Sequence, residues 1–129
     1  IDAIATDHAP HSAEEKARGL TQAPSGMVGL ETALAVCLSA LYHTRELGLS
    51  DLLKKLTINP ACILRLPTKG RLAIGGDGDL VIFDPDEEWT VDPDQFASKG
   101  RNTPFAGRRV KGKVKYTVVG GQIIYQEGA

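Results

Sequence analysis

The sequence predicts an α/β protein with a strand-and-helix half followed by a β-rich half. Three observations carry this reading. The chain opens on a nearly apolar run, Ile1-Asp2-Ala3-Ile4-Ala5-Thr6, which reads as a strand covered on both faces. Apolar residues at helical spacing fill residues 26–64. From Gly70 onward, short β-branched and aromatic runs alternate with Gly, Asp and Pro. The predicted units are residues 1–66 and residues 67–129.

The opening strand ends at Thr6 and is followed at once by Asp7, His8 and His11. In α/β folds and barrels, ligands bind at the carboxyl ends of strands. A carboxylate and imidazoles there suit a divalent metal and proton transfer. Residues 7–26 form a polar loop, within which Glu14-Glu15-Lys16-Ala17-Arg18 is expected to make a helical turn. A long helix is predicted over Gly26–Leu47. Its apolar coverage comes from Val28, Leu30, Leu34, Val36, Cys37, Leu38, Leu41 and Leu47, so most of its surface should be buried. Gly48 would end it as a left-handed cap. Ser50 would cap a second helix over Asp51–Leu56, and Asn59-Pro60 would start a third that runs to about Leu64.

In the second half, Leu72 and Ile74, then Leu80-Val81-Ile82-Phe83, then Trp89-Thr90-Val91 read as separate short strands. Lys113–Val119 and Gln122–Tyr125 flank Gly120-Gly121, a strong two-residue hairpin signal. Arg109, Lys111, Lys113 and Lys115 fall on alternate positions, the pattern of an exposed strand face, so the basic stretch does not argue for nucleic acid.

The chain has 129 residues, 15 basic and 16 acidic, for a net charge of −1. That balance gives no basic excess for nucleic acid or an anionic membrane. The apolar runs fall short of a spanning helix, and no signal peptide is visible. Cys37 and Cys62 lie in apolar helical contexts without a C-x-x-C partner. Buried free thiols in a reducing, cytoplasmic compartment are expected. The first residue is Ile, inside what reads as a buried strand. A carboxy-terminal part of a longer protein is therefore expected.

The stretch Thr6-Asp7-His8-Ala9-Pro10-His11, then Glu14-Glu15-Lys16, then Ala23-Pro24-Ser25-Gly26-Met27-Val28-Gly29-Leu30-Glu31-Thr32, resembles the last barrel strand and following loop of the dihydroorotase family of cyclic amidohydrolases. Thr57-x-Asn59-Pro60-Ala61, Gly70-Arg71-Leu72, Gly75-x-x-Gly78-Asp79-Leu80-Val81-Ile82-Phe83-Asp84, Asn102-Thr103-Pro104-Phe105-x-Gly107 and Val118-x-Gly120-Gly121 extend the resemblance over essentially the whole chain. It departs where the family often has Ala for Gly78, a turn position, and Phe for Ser25. The resemblance implies the carboxy-terminal piece of a TIM-type (β/α)8 metallo-dependent hydrolase barrel, with its last strand and helices, beside a small β-sandwich. Such a barrel needs roughly 250 residues, more than this chain holds.

The implied reaction is zinc-dependent, reversible hydrolysis of L-dihydroorotate to N-carbamoyl-L-aspartate, in de novo pyrimidine synthesis. Zinc brings the pKa of a bound water towards ~7, and a carboxylate beside it can move the proton to the leaving nitrogen. The resemblance implies that Asp7 ligates metal and acts as general acid and base. Read alone, Asp7 is also a residue that caps the following turn. His11 is implied to bind the substrate carboxylate. The backbone of the Ala23-Pro24-Ser25-Gly26 loop is implied to meet the substrate ring at Ser25 and Gly26, where Gly26 allows close approach.

His8 has a supporting or purely structural role on this reading. His43 is a surface or satisfied core residue. Glu14, Glu15, Lys16 and Arg18 read as a solvated loop face. The family's other metal ligands, a His-x-His pair, a bridging carboxylated lysine and further histidines, have no counterpart here. One Asp cannot hold a zinc site that takes three or four protein ligands, so the 129 residues alone are expected to be inactive and to bind metal weakly. Residues 1–6 alone are expected to be disordered or to pair with another chain. Two alternatives stand beside this reading: a hydantoinase (dihydropyrimidinase) or allantoinase, and a non-catalytic scaffold for a partner such as aspartate carbamoyltransferase. A homodimer is the expected assembly.

Overall fold

The computed structural model describes residues 1–128. Four short helices precede a three-stranded antiparallel sheet. They are α1 (Ala13–Lys16), α2 (Ala33–Cys37), α3 (Leu49–Leu56) and α4 (Ile58–Ile63). The strands are β1 (Leu80–Thr90), β2 (Arg109–Val119) and β3 (Gln122–Gln126), in spatial order β1-β2-β3. The architecture is mixed α/β, as the sequence predicts.

The first expected strand does not form. Residues 1–6 make no ladder with another strand among the described residues. A strand exists only when a neighbour takes its backbone groups, and the partners here are helical. The Ile4 amide donates to the Lys55 carbonyl, Lys55 Nζ to the Ile1 carbonyl, and Asn59 Nδ2 to the Asp2 carbonyl. These bonds place the stretch against α3 and α4.

The long helix predicted over residues 26–47 is also corrected. Residues 30–32 are turn, α2 starts at Ala33, and Leu38–Tyr42 widens into a π-helical turn. The His43 amide reaches the Leu38 carbonyl five residues back, the π pattern. Burial is narrower than the apolar count implies: Ala35 and Leu38 are buried, whereas Leu30 is exposed. Gly48 is extended and precedes α3, and the left-handed residue of this connection is Arg45. Thr57, not Asn59, precedes α4.

The sheet follows local chemistry more closely. Gly120 and Gly121 have φ of 58° and 78°, the two positive values that a tight β2–β3 turn requires. Gly78 packs beneath this turn. Its carbonyl accepts from the Gly121 amide at 2.8 Å, and a Cβ there would lie 2.9 Å from that nitrogen. β1 joins the run at 80–83 and most of the run expected at 89–91, ending at Thr90, into one bent strand, with a register shift between Asp84 and Glu88. Asp84 Oδ1 accepts from the Asp86 and Glu87 amides and so absorbs the irregularity. Leu72 and Ile74, expected as strand, lie in irregular backbone and a turn and are exposed, because no described strand pairs with them.

The basic stripe on β2 is covered by acids. Arg109 and Lys111 pair with Glu88, Lys113 with Glu127, and Lys115 with Glu87 and Glu127. Lys113 also sits 4.6 Å from the centre of the Trp89 ring. Cys37 is half-buried and free, and burial pushes its thiol up. Cys62 is free but exposed, which corrects the expectation of burial.

The main core cluster comprises Val28, Ala35, Val91, Phe96 and Val110, with Val36, Trp89 and Phe105 against it. It draws on the loop, α2 and both long strands. Polar ties reinforce the helix–sheet seam: Ser39 Oγ accepts from the Lys111 amide, and His43 Nε2 donates to the Pro85 carbonyl. His43 is therefore a satisfied structural residue.

Asp79 links two elements. Its carboxylate accepts from Lys69 Nζ at 2.5 Å and from the Gly120 amide at 2.8 Å, while Asp77 takes the same ammonium at 2.8 Å. Lys69 holds both carboxyls below the ordinary aspartate value. A depressed carboxyl pKa stabilises the fold above the unfolded value of about 4, and that contribution is lost as pH falls through the folded value. Asp79→Asn is therefore expected to lower Tm near neutral pH and to change it far less below about pH 3. Equal losses at both pH values, read by thermal melts, would contradict the charge-based account.

Candidate active site

The site is built by two loop segments laid side by side. Residues 7–11 run beside residues 24–29, joined by a parallel bridge between His8 and Met27. The Ala9 amide donates to the Met27 carbonyl at 2.9 Å. A third segment closes on them. The Val28 amide donates to the Asn102 carbonyl at 2.9 Å, and Gly100 lies so near Pro10 that a Cβ would be 2.9 Å from its ring.

Asp7 is exposed and adopts φ of 48°, a left-handed conformation that Asp tolerates better than most residues. Among the described residues, its carboxylate accepts no hydrogen bond and pairs with no cation. It does not cap the following turn. Ser12 does that, accepting from the Glu15 amide while the Glu15 carboxylate accepts from the Ser12 amide, a complete capping box. These bonds hold the Glu15 carboxyl below its usual range.

His8 turns the other way. Its Nδ1 accepts from the Gly29 amide at 3.1 Å, which puts the proton of a neutral ring on Nε2. It holds the helix-entry loop in place. His11 Nε2 donates to the Ser25 carbonyl at 3.0 Å, and Nδ1 lies 3.7 Å from Glu15 Oε2. Both ring nitrogens thus face protein acceptors. A substrate carboxylate reaching His11 must displace Glu15 or Ser25.

Ser25 is exposed, and Gly26 has φ of 126°. A Cβ at Gly26 would sit 2.6 Å from the Ala9 Cβ and 3.3 Å from His11 Nε2, so only Gly fits. The structure therefore brings Asp7, His8, His11, Ser25 and Gly26 into one loop cluster. Two contributors were not assigned a role from sequence. Lys16, read as solvated, donates from Nζ to the Pro24 and Gly26 carbonyls at 2.8 and 3.1 Å. Asn102 donates from Nδ2 to the Gly26 carbonyl at 2.6 Å. The only sequence signal was that Asn102 stands in the Asn-Thr-Pro-Phe stretch and Lys16 in Glu-Glu-Lys.

Among the described residues, no three His, Cys, Asp or Glu come together to hold a metal ion. A hard, exposed carboxylate without a protein partner, as at Asp7, fits one ligand position of a zinc site and no more.

The amidohydrolase family model matches residues 1–124, and the chain belongs to that family. Within it, the chain is 50% identical over 127 residues to a dihydroorotase of Clostridium acetobutylicum, covering 98% of this chain and 30% of that protein. It is 53% identical over 126 residues to a dihydroorotase of Anaplasma phagocytophilum, covering 98% of this chain and 28% of that one. The chain thus spans less than a third of the length of these curated relatives. Among solved structures, it is similar to an L-hydantoinase (dihydropyrimidinase) of Arthrobacter aurescens, with a TM-score of 0.92 and 34% identity over 100% of this chain and 30% of that one. A D-hydantoinase of Thermus sp. gives 0.90 at 24% identity over 100% of this chain and 29% of that one, a likeness of fold alone. No helix among the described residues is long and apolar enough to cross a membrane.

Proposed function

We propose that this chain is part of a zinc-dependent dihydroorotase that interconverts L-dihydroorotate and N-carbamoyl-L-aspartate in pyrimidine synthesis. The observation that carries the reading is the identity of about half its residues with curated dihydroorotases across nearly the whole chain. The geometry agrees in one respect that matters: the Asp7 carboxylate is exposed beside the Gly26 loop and engaged by no protein donor among the described residues. On this reading the chain contributes the end of a (β/α)8 barrel and part of the adjoining sandwich, acts in the cytoplasm as a homodimer, and is inactive without the remaining metal ligands.

Asp7 would be one of the residues that hold the zinc. When bound, zinc supplies an activated water and polarises the ring amide carbonyl. Asp7 takes the proton from the attacking water and returns it to the ring nitrogen as the amide opens. His11 donates to the substrate carboxylate once the Glu15 or Ser25 contact gives way. The Ser25–Gly26 backbone orients the ring.

A hydantoinase is the second reading, favoured by the Arthrobacter structure. Ring opening of dihydroorotate, hydantoin, dihydrouracil and allantoin by the full-length enzyme decides between them. Preference for dihydroorotate is expected, and preference for hydantoin or dihydrouracil would overturn the proposal. A protein that opens none of them, yet binds aspartate carbamoyltransferase, would be the scaffold instead.

A further inference from the structure

Every carbonyl of the Pro24–Gly26 turn is engaged by a side chain. Lys16 Nζ takes those of Pro24 and Gly26, His11 Nε2 takes that of Ser25, and Asn102 Nδ2 takes that of Gly26 as well. A carbonyl oxygen has two lone pairs, so two donors saturate Gly26. Among the described residues, by contrast, the Ser25 and Gly26 amides donate to no protein acceptor. The turn therefore has its acceptors tied down and two donors open.

Lys16 is delivered by α1, whose first turn is fixed by the Ser12–Glu15 capping box directly after His11. Asn102 comes from a segment far along the chain, and its own carbonyl takes the Val28 amide. The turn is thus held by two separate segments. Ala9 blocks it from beneath, where a Cβ on Gly26 would clash. We propose that Lys16 and Asn102 are positioning residues: they hold the Gly26 carbonyl away from the ligand, so that a substrate ring meets the turn through its own acceptor oxygen on the Ser25 and Gly26 amides. This rests on the reading of the Asp7–Gly26 cluster as the substrate site. An ammonium donor makes charge-assisted bonds stronger than neutral ones, which explains a lysine where a solvated residue is expected.

The test is steady-state kinetics of full-length Lys16→Met, Lys16→Arg and Asn102→Ala, with hydrogen exchange on each. Lys16→Met and Asn102→Ala are each expected to raise KM for dihydroorotate by about tenfold while kcat stays within about threefold. Lys16→Arg should recover most of the loss, and exchange should quicken at residues 23–28 but not in the sheet. Unchanged KM, a fall in kcat alone, no recovery by Lys16→Arg, or loss of sheet protection would each overturn the proposal. If the wild type opens hydantoin and not dihydroorotate, the functional reading fails, and the KM comparison with hydantoin still decides the role of Lys16 and Asn102.

Discussion

Asp7→Asn in the full-length enzyme is expected to lower dihydroorotate turnover by about 10³-fold, the range for removing a general acid–base group. The substitution is unusually clean at this position. Asp7 sits at φ of 48°, where most side chains strain the backbone but Asn is as comfortable as Asp. Asn also keeps the size of the side chain. What it removes is the negative charge and the ability to accept and return a proton. Asp7→Ala would mix the chemical loss with backbone strain. Since the Asp7 carboxylate makes no hydrogen bond or ion pair among the described residues, Asp7→Asn should melt at the wild-type temperature. Zinc content measured alongside separates the two roles: reduced zinc with proportionate loss of rate marks a ligand, and retained zinc with the full loss marks a proton carrier. Turnover within tenfold of wild type would remove Asp7 from the mechanism.

The parts of this site legible in the sequence are those governed by local chemistry. Asp7 and His11 stand four residues apart on one loop, and no distant contact is needed to bring them together. The Gly120-Gly121 hairpin and the α1 turn are legible for the same reason: turn glycines and a Ser-x-x-Glu capping pair determine their own surroundings. Failures occur where a distant partner decides. Residues 1–6 have strand-like composition, but composition supplies no neighbour, and hydrogen bonds to Lys55 and Asn59 place them instead. Lys16 looks like any surface lysine because its acceptors lie 8 and 10 residues away in a loop of undetermined path. The π turn at Leu38–Tyr42 departs from regular spacing where Ser39 reaches β2, a contact 72 residues distant in sequence.

That same seam holds the largest expected stability effect. Gly112 is buried on β2 with φ of 106°, and a Cβ there would lie 2.3 Å from Leu38 Cδ1 and 3.6 Å from the Ala35 Cα. Leu38 is fully buried, so its side chain must repack to admit the methyl. Gly112→Ala therefore combines a positive-φ cost of about 1–2 kcal/mol with an overpacking cost of about 1–3 kcal/mol, for an expected loss near 3 kcal/mol. The Trp89 indole bond to the Gly112 carbonyl, at 2.9 Å, resists relief by backbone movement. Leu38→Ala should cost about 2–5 kcal/mol through the cavity it leaves. The two changes are not independent, because the new methyl occupies space that Leu38 vacates. The double variant should be more stable than the sum of the single losses predicts, by about 1–2 kcal/mol, while the backbone cost at residue 112 remains. Denaturant unfolding of the four proteins measures this coupling. Strict additivity would mean that Leu38 and Gly112 do not share one packed contact, and the helix–sheet seam would then rest on the Ser39 and His43 hydrogen bonds rather than on close packing.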